Sequence, residues 1–145
     1  MENVEVYTDG ACTGNPGPGG YAAVVVNNNK ILKEVTGFCH DTTNNRMELT
    51  ALIEALKALK NTNKIKIYTD SDYLLQGVKS WLEKWSNNGW KTAGGDNVKN
   101  RDLWEKIKQL LTDFDLDIRK VKAHSGNKYN ERADSLAKEQ IEDNI

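Results

Sequence analysis

Asp9, Glu48, Asp70 and Asp134 are the residues of this 145-residue sequence whose types and settings could do chemistry together. Two of them close an internal echo: Val-Glu-Val-Tyr-Thr-Asp ends at Asp9, and Ile-Lys-Ile-Tyr-Thr-Asp ends at Asp70. Both stretches alternate with period two, as strands do. Parallel neighbours would each present an Asp at the carboxyl end, where ligands of open α/β sheets gather. Adjacent carboxylates repel unless a cation sits between them or one takes up a proton. Taken singly, Asp9 suits a turn with Gly10, and Asp70 suits the cap region of a following helix. The echo weakens those two explanations together.

Glu48 lies in the first turn of a helical pattern, in line with Leu52, Ala55 and Leu59. It is aimed along the core-facing stripe, which is costly for an acid without a partner. The helix dipole favours any Glu in that turn but does not require an inward one. Asp134 repeats the oddity beside Ala137 and Ile141, and it equally suits a surface pair with Lys138 at i,i+4. Oxygen ligands without His or Cys select magnesium or manganese. Two such ions about 4 Å apart can activate a water and stabilise the leaving oxygen of a phosphodiester. With two His in the chain and no His-Glu-x-x-His, a zinc hydrolase is disfavoured.

His124 stands in the polar loop Lys122-Ala123-His124-Ser125-Gly126-Asn127. Such a His can shuttle protons near neutral pH, with an ordinary exposed His as the competing account. The stretch Gly14 to Gly20 lacks the Gly-Lys-Ser/Thr ending of a P-loop and leads into a strand, which argues against an ATPase. It offers backbone amides beside Asp9 and Gly10 to nucleic-acid sugars and phosphates. Thr42-Thr43-Asn44-Asn45-Arg46 opens the long helix, and a helix N-terminus with hydroxyls, amides and an Arg suits a phosphate. Simple capping by Thr43 or Asn44 is the alternative. Trp81, Trp85, Trp90 and Trp104 suit an apolar cluster that holds a protruding helix, or, for one of them, stacking on a sugar or base.

The elements that must position these groups follow from periodicity. Strands are predicted at 4–9, 21–26, 30–38, 64–70 and 116–121, and helices at 44–59, 72–79, 101–111 and 130–141. Residues 10–20 are predicted as a Gly/Pro loop, and Asn27-Asn28-Asn29 as a tight turn. Ser71 is the expected cap of the helix that starts at Asp72. A meander followed by a helical crossover implies an α/β fold: a mixed sheet packed with helices, its first and fourth strands parallel.

Hydrophobic residues are 38% and charged residues 28%, a globular composition that fits one domain over residues 1–145. There is no run of eighteen apolar residues and no basic-then-apolar start, so a membrane span and a signal peptide are not expected and a cytoplasmic location is. Cys12 and Cys39 read as free thiols. The net charge of −1 excludes a generally basic nucleic-acid binder; any such contact must come from local placement of charge.

The motifs Tyr-Thr-Asp-Gly-Ala-Cys at 7–12, Gly-Asn-Pro-Gly-Pro-Gly-Gly-Tyr at 14–21, Thr-Thr-Asn-Asn-Arg-Met-Glu-Leu at 42–49, Thr-Asp-Ser at 69–71, Gly-Trp-Lys-Thr-Ala at 89–93, Val-Lys-Asn at 98–100, Asp-Leu-Trp at 102–104 and Asn-Glu-Arg-Ala-Asp-Ser-Leu-Ala at 130–137 run nearly end to end. With them the chain closely resembles type 1 ribonuclease H of the bacterial kind. The resemblance implies a ribonuclease H-like five-stranded sheet of order 3-2-1-4-5. It implies hydrolysis of the RNA strand of RNA–DNA hybrids to 5′-phosphate and 3′-hydroxyl ends. It implies two Mg2+ ions, replaceable by Mn2+, on Asp9, Glu48, Asp70 and Asp134, with His124 as a mobile proton-transfer residue. Cys12, Asn15, Asn44 and Asn45 would lie at the minor groove of the hybrid, where 2′-hydroxyls mark the RNA strand. Thr43 would meet a DNA phosphate and Trp81 the DNA-facing channel, and Gly10, Arg46 and Asp72 complete the candidate substrate contacts. The hybrid is the expected partner of a monomer with no membrane contact and no obligate protein partner.

The sequence departs from the family at Asp41, where a basic residue is expected, at Asp72, where an amide is usual, and at Ala123 and Asn127 in the histidine loop. Between Trp81 and Arg101 it carries Lys84, Lys91, Lys99 and Arg101 against Glu83 and Asp96, a mildly basic protrusion where the family's well-known bacterial member is strongly basic. A DNA-cutting nuclease or integrase of the same fold and a non-catalytic hybrid-binding module are the competing functions. The Asn/Thr loops weigh against the first, and the full set of carboxylates against the second.

Overall fold

The computed structural model describes residues 4–59, 64–122 and 126–145. Three strands form the meander: β1 (Val4–Cys12), β2 (Gly17–Asn27) and β3 (Lys30–Thr42). Asn28 and Asn29 turn β2 into β3 with φ of 51° and 61°. Two consecutive left-handed residues match the twist of a two-residue hairpin, and Asn tolerates that backbone well.

Helix α1 (Asn44–Ala58) crosses over to β4 (Lys64–Thr69), which runs parallel to β1. The chain continues through α2 (Asp72–Gln76), a π-helical turn (Gly77–Trp81), α3 (Leu82–Asn87) and α4 (Arg101–Leu111) to β5 (Asp115–Lys120) and α5 (Lys128–Asn144). The strands form one mixed sheet of order β3-β2-β1-β4-β5.

Helices cover both faces. On one, Val4, Val6, Ala23 and Val25 pack under Leu49, Leu52 and Leu56 of α1, together with Trp104 and Ile107 of α4. On the other, Tyr7, Ala22, Val24 and Val26 pack against Ala133, Leu136 and Ala137 of α5. Because the inner strands are buried on both sides, β2 reads Ala-Ala-Val-Val-Val instead of alternating. Each fully buried Leu of the α1 stripe contributes roughly 1.5–3 kcal/mol.

Two expectations from periodicity are corrected. The predicted loop at 10–20 shrinks to residues 13–16, because β1 continues to Cys12 and β2 begins at Gly17. The glycines serve close packing there. A Cβ on Gly20 would lie 2.2 Å from the Ala137 carbonyl oxygen, and one on Gly19 would lie 2.5 Å from Thr42 Cγ2. The helix predicted to end near Lys79 runs on to Asn87 through the π-helical turn. A Cβ on Gly77 would lie 2.0 Å from Trp104 Cη2, so the indole sits directly on that turn. Trp85 packs on it directly and Trp81 joins it through Tyr73, with ring centroids 5.5–6.1 Å apart in the pairs that link them. Periodicity alone does not reveal an aromatic cluster that sustains extra helical turns.

Candidate active site

The parallel register of β1 and β4 places Tyr7 beside Tyr68, whose rings stack with centroids 4.8 Å apart. The parallel pairing ends there, and two residues further on in each segment Asp9 and Asp70 bring carboxylate oxygens within 4.8 Å of each other. Glu48 arrives from α1 because Gly10 lets the helix backbone touch the strand. A Cβ on Gly10 would lie 2.5 Å from Glu48 N and 2.6 Å from Met47 C. One carboxylate oxygen from each of Asp9, Glu48 and Asp70 lies within 4.8 Å of the others.

Asp9 and Glu48 are buried, at 4% and 3% exposure, and Asp70 is half-buried. Burial, and then the charge of Asp70, raise the Asp9 carboxyl above the ordinary carboxylate range. Burial, and then the charges of Asp9 and Asp70, raise Glu48 well above it. Glu48 Oε2 is buried with no hydrogen-bond partner among the described residues. Crowded carboxylates whose burial and mutual repulsion hold them above the ordinary carboxylate range, with one orphaned oxygen, fit a hard divalent cation with oxygen ligands.

Asp134, on α5, acts on Asp9 by hydrogen bond and by charge, both raising the Asp9 pKa. It stands outside the 4.8 Å set of three. It also pairs with Lys138 at 3.0 Å, so the surface pair and the approach to the site occur together.

A family model described as RNase H matches residues 1–142. The chain belongs to the ribonuclease H family. It is 53% identical to a ribonuclease H of Hahella chejuensis over 94% of this chain and 92% of that one. It is 50% identical to one of Acetivibrio thermocellus over 99% and 98% of the two. Among solved structures, LC9-RNase H1, described as a type 1 RNase H with the type 2 active-site motif, aligns with a TM-score of 0.86 at 32% identity, covering 99% of this chain and 74% of that one. RNase H1 of Halobacterium salinarum aligns at 0.70 and 33%, covering 97% and 98%.

Around this ribonuclease H carboxylate cluster, two of the expected substrate residues meet: Asn15 Oδ1 accepts from Asn44 N at 2.8 Å, tying the β1–β2 loop to the start of α1. Thr43 is the cap of α1, its Oγ1 accepting from Arg46 N at 3.2 Å. Asn45 is exposed beside them. The half-buried Cys12 thiol donates to the carbonyls of Thr42 and Gly17. Trp81 is half-buried at a groove it shares with Lys84, Trp85 and Lys91. His124 and Ala123 lie outside the described residues.

Arg46 is held by a fork to both Asp102 oxygens at 3.0 and 2.8 Å and by Asn100 Oδ1 at 3.2 Å. Asn100 Nδ2 and Trp104 Nε1 both donate to Tyr73 Oη at 3.0 Å. Asp72 pairs with Lys120 at 2.7 Å. Sequence reasoning gave no role to Asn100, Asp102, Tyr73 or Lys120. Asn100 and Asp102 fall in stretches that carry the family resemblance, but their link to Arg46 spans more than fifty residues of chain.

Among the described residues, no helix is long and apolar enough to cross a membrane.

Proposed function

We propose that this chain is an endoribonuclease that hydrolyses the RNA strand of RNA–DNA hybrids, leaving 5′-phosphate and 3′-hydroxyl ends, and that it works as one ribonuclease H domain over residues 1–145. The observation that carries this is the Asp9, Glu48 and Asp70 cluster at the carboxyl ends of two parallel strands. The curated relatives at about half identity are named ribonuclease H, in accord with it.

Asp9, Glu48 and Asp70 would hold two divalent cations, Mg2+ or in its place Mn2+, with Asp134 completing the set from α5. When bound, the ions activate water and neutralise charge on the leaving oxygen. Asp9 and Glu48, crowded and buried, would hold such cations in their deprotonated form. Asn15, Asn44 and Asn45 read the minor groove from the tied loop and helix start, with Cys12 beside them and Gly10 lending its backbone. Thr43 and Arg46 face a DNA-strand phosphate, Trp81 lines the channel for the DNA strand, and His124 moves a proton during product release. The chain needs no protein partner or membrane for this chemistry.

The test is a labelled strand assay with hybrid, duplex RNA and duplex DNA, each with and without Mg2+. Cleavage confined to the RNA strand of the hybrid and dependent on the ion is expected. Equal cutting of duplex DNA, or no product with either Mg2+ or Mn2+, would overturn the proposal.

A further inference from the structure

Lys120 ends β5 directly opposite Thr69, the last residue of β4 and the neighbour of Asp70. Its ammonium donates to the Asp70 carbonyl oxygen at 2.9 Å and to Asp72 Oδ1 at 2.7 Å. The bonding on either side shows why that contact matters. The Thr69 carbonyl accepts from Val121 N at 2.8 Å, the last rung between the strands. The Ser71 carbonyl accepts from Leu75 N at 3.1 Å, the start of α2. Ser71 Oγ caps Leu74 N, and Ser71 N donates to Thr69 Oγ1. Between the last rung of the sheet and the first bond of the helix, the Asp70 carbonyl is taken by Lys120.

We propose that Lys120 is a positioning residue for Asp70: it straps the β4–α2 junction from the neighbouring strand and so fixes where the Asp70 carboxylate meets Asp9 and Glu48. This rests on the metal site proposed above. Lys120 and Asp72 are 41% and 79% exposed, and a pair so exposed adds little to stability by itself. Its consequence is local. The strap sets the backbone at the one ligand of the cluster that lies at a strand-to-helix junction and not within an element. It also neutralises Asp72, which would otherwise add a negative charge at the mouth of an already acidic site. Groups that orient a metal ligand act on affinity and rate through that ligand.

The test compares the parent with Lys120→Met and Lys120→Arg in three measurements: the melting temperature without metal, Mn2+ binding by calorimetry without substrate, and kcat and KM on hybrid. Lys120→Met is expected to weaken Mn2+ binding about 10-fold and to lower kcat by a similar factor with KM little changed. Lys120→Arg is expected to recover most of both. The metal-free melting temperature should stay at the parent value in each variant. Unchanged Mn2+ affinity in Lys120→Met, an effect confined to KM, or a loss that tracks a lower melting temperature would overturn the assignment. If the parent failed to cleave hybrid, the substrate proposal would fall while the calorimetric arm still decided the role of Lys120.

Discussion

Burial and the neighbouring Asp70 charge raise the Asp9 carboxyl, and burial with the charges of Asp9 and Asp70 raises Glu48. In the unfolded chain both return to ordinary carboxylate values near about 4. The native state therefore keeps protons over a range where the unfolded state has lost them, and stability falls as pH rises through that range. The contribution of Asp9 and Glu48 to metal-free stability should be full below the ordinary carboxylate range and be lost toward neutral pH, while Glu34 and Asp102, lowered by Arg132 and Arg46, contribute in the opposite direction, losing their share as pH falls. Asp9→Asn keeps the shape and removes one charge. It should abolish cleavage, raise metal-free stability at neutral pH by on the order of 1–2 kcal/mol, and flatten the pH dependence. Melting curves from acid to neutral pH, with and without Mg2+, check this. Parent and variant melting alike at every pH would contradict it. The Asp9–Asp70 pairing was legible in the residues because a repeated Tyr-Thr-Asp on parallel strands is a simple translation in register. Lys120 was not legible, since an ordinary strand-end lysine gives no hint of the carbonyl it reaches fifty positions away.

At the scale of elements, the site depends on how closely α1 crosses β1. Gly10 permits that crossing, and its absent side chain faces backbone, which cannot swing aside. Gly10→Ala should push α1 off the strand, cost about 1–3 kcal/mol as overpacking does, and slow cleavage as Glu48 recedes from Asp9. Urea denaturation and single-turnover cleavage measure the two effects. A variant with parental stability and rate would show that the helix can shift freely. The stripe of α1 was readable from its 3.6-residue period because burial writes that period directly. The glycines from 10 to 20 misled because the same residue serves turns and close approaches, and only the second occurs at Gly19 and Gly20. The helix beyond Lys79 was hidden for a related reason: its support is Trp104, supplied from α4.

For the molecule as a whole, about a third of the twenty Lys and Arg residues stand in ion pairs among the described residues. Arg46, Lys57, Arg101, Arg119, Lys120, Arg132 and Lys138 are each paired with a carboxylate. With a net charge of −1 and only four cations against two acids from 81 to 101, no strongly basic excess gathers there to displace counterions from a nucleic acid. Hybrid binding by the inactive Asp9→Asn variant should weaken with salt at a slope equivalent to only about 3–5 phosphate contacts. Fluorescence anisotropy across a salt series reads that slope, and a value near 10 would show a basic surface that the paired residues conceal.

All four tryptophans fall between residues 81 and 104, and Trp81, Trp85 and Trp104 share one cluster with Tyr73. Two residues before Asp9 and Asp70 stand tyrosines instead, Tyr7 and Tyr68, and Tyr7 packs against both Tyr68 and Tyr129. The chain is thus a two-colour object to an ultraviolet spectrometer. Indole emission reports first on the helical wall that carries the cluster. In a Tyr73→Phe variant, an unfolding curve followed at tryptophan wavelengths and one followed by tyrosine absorbance would weight different regions of the same molecule, and their coincidence or separation tells whether the two come apart as one.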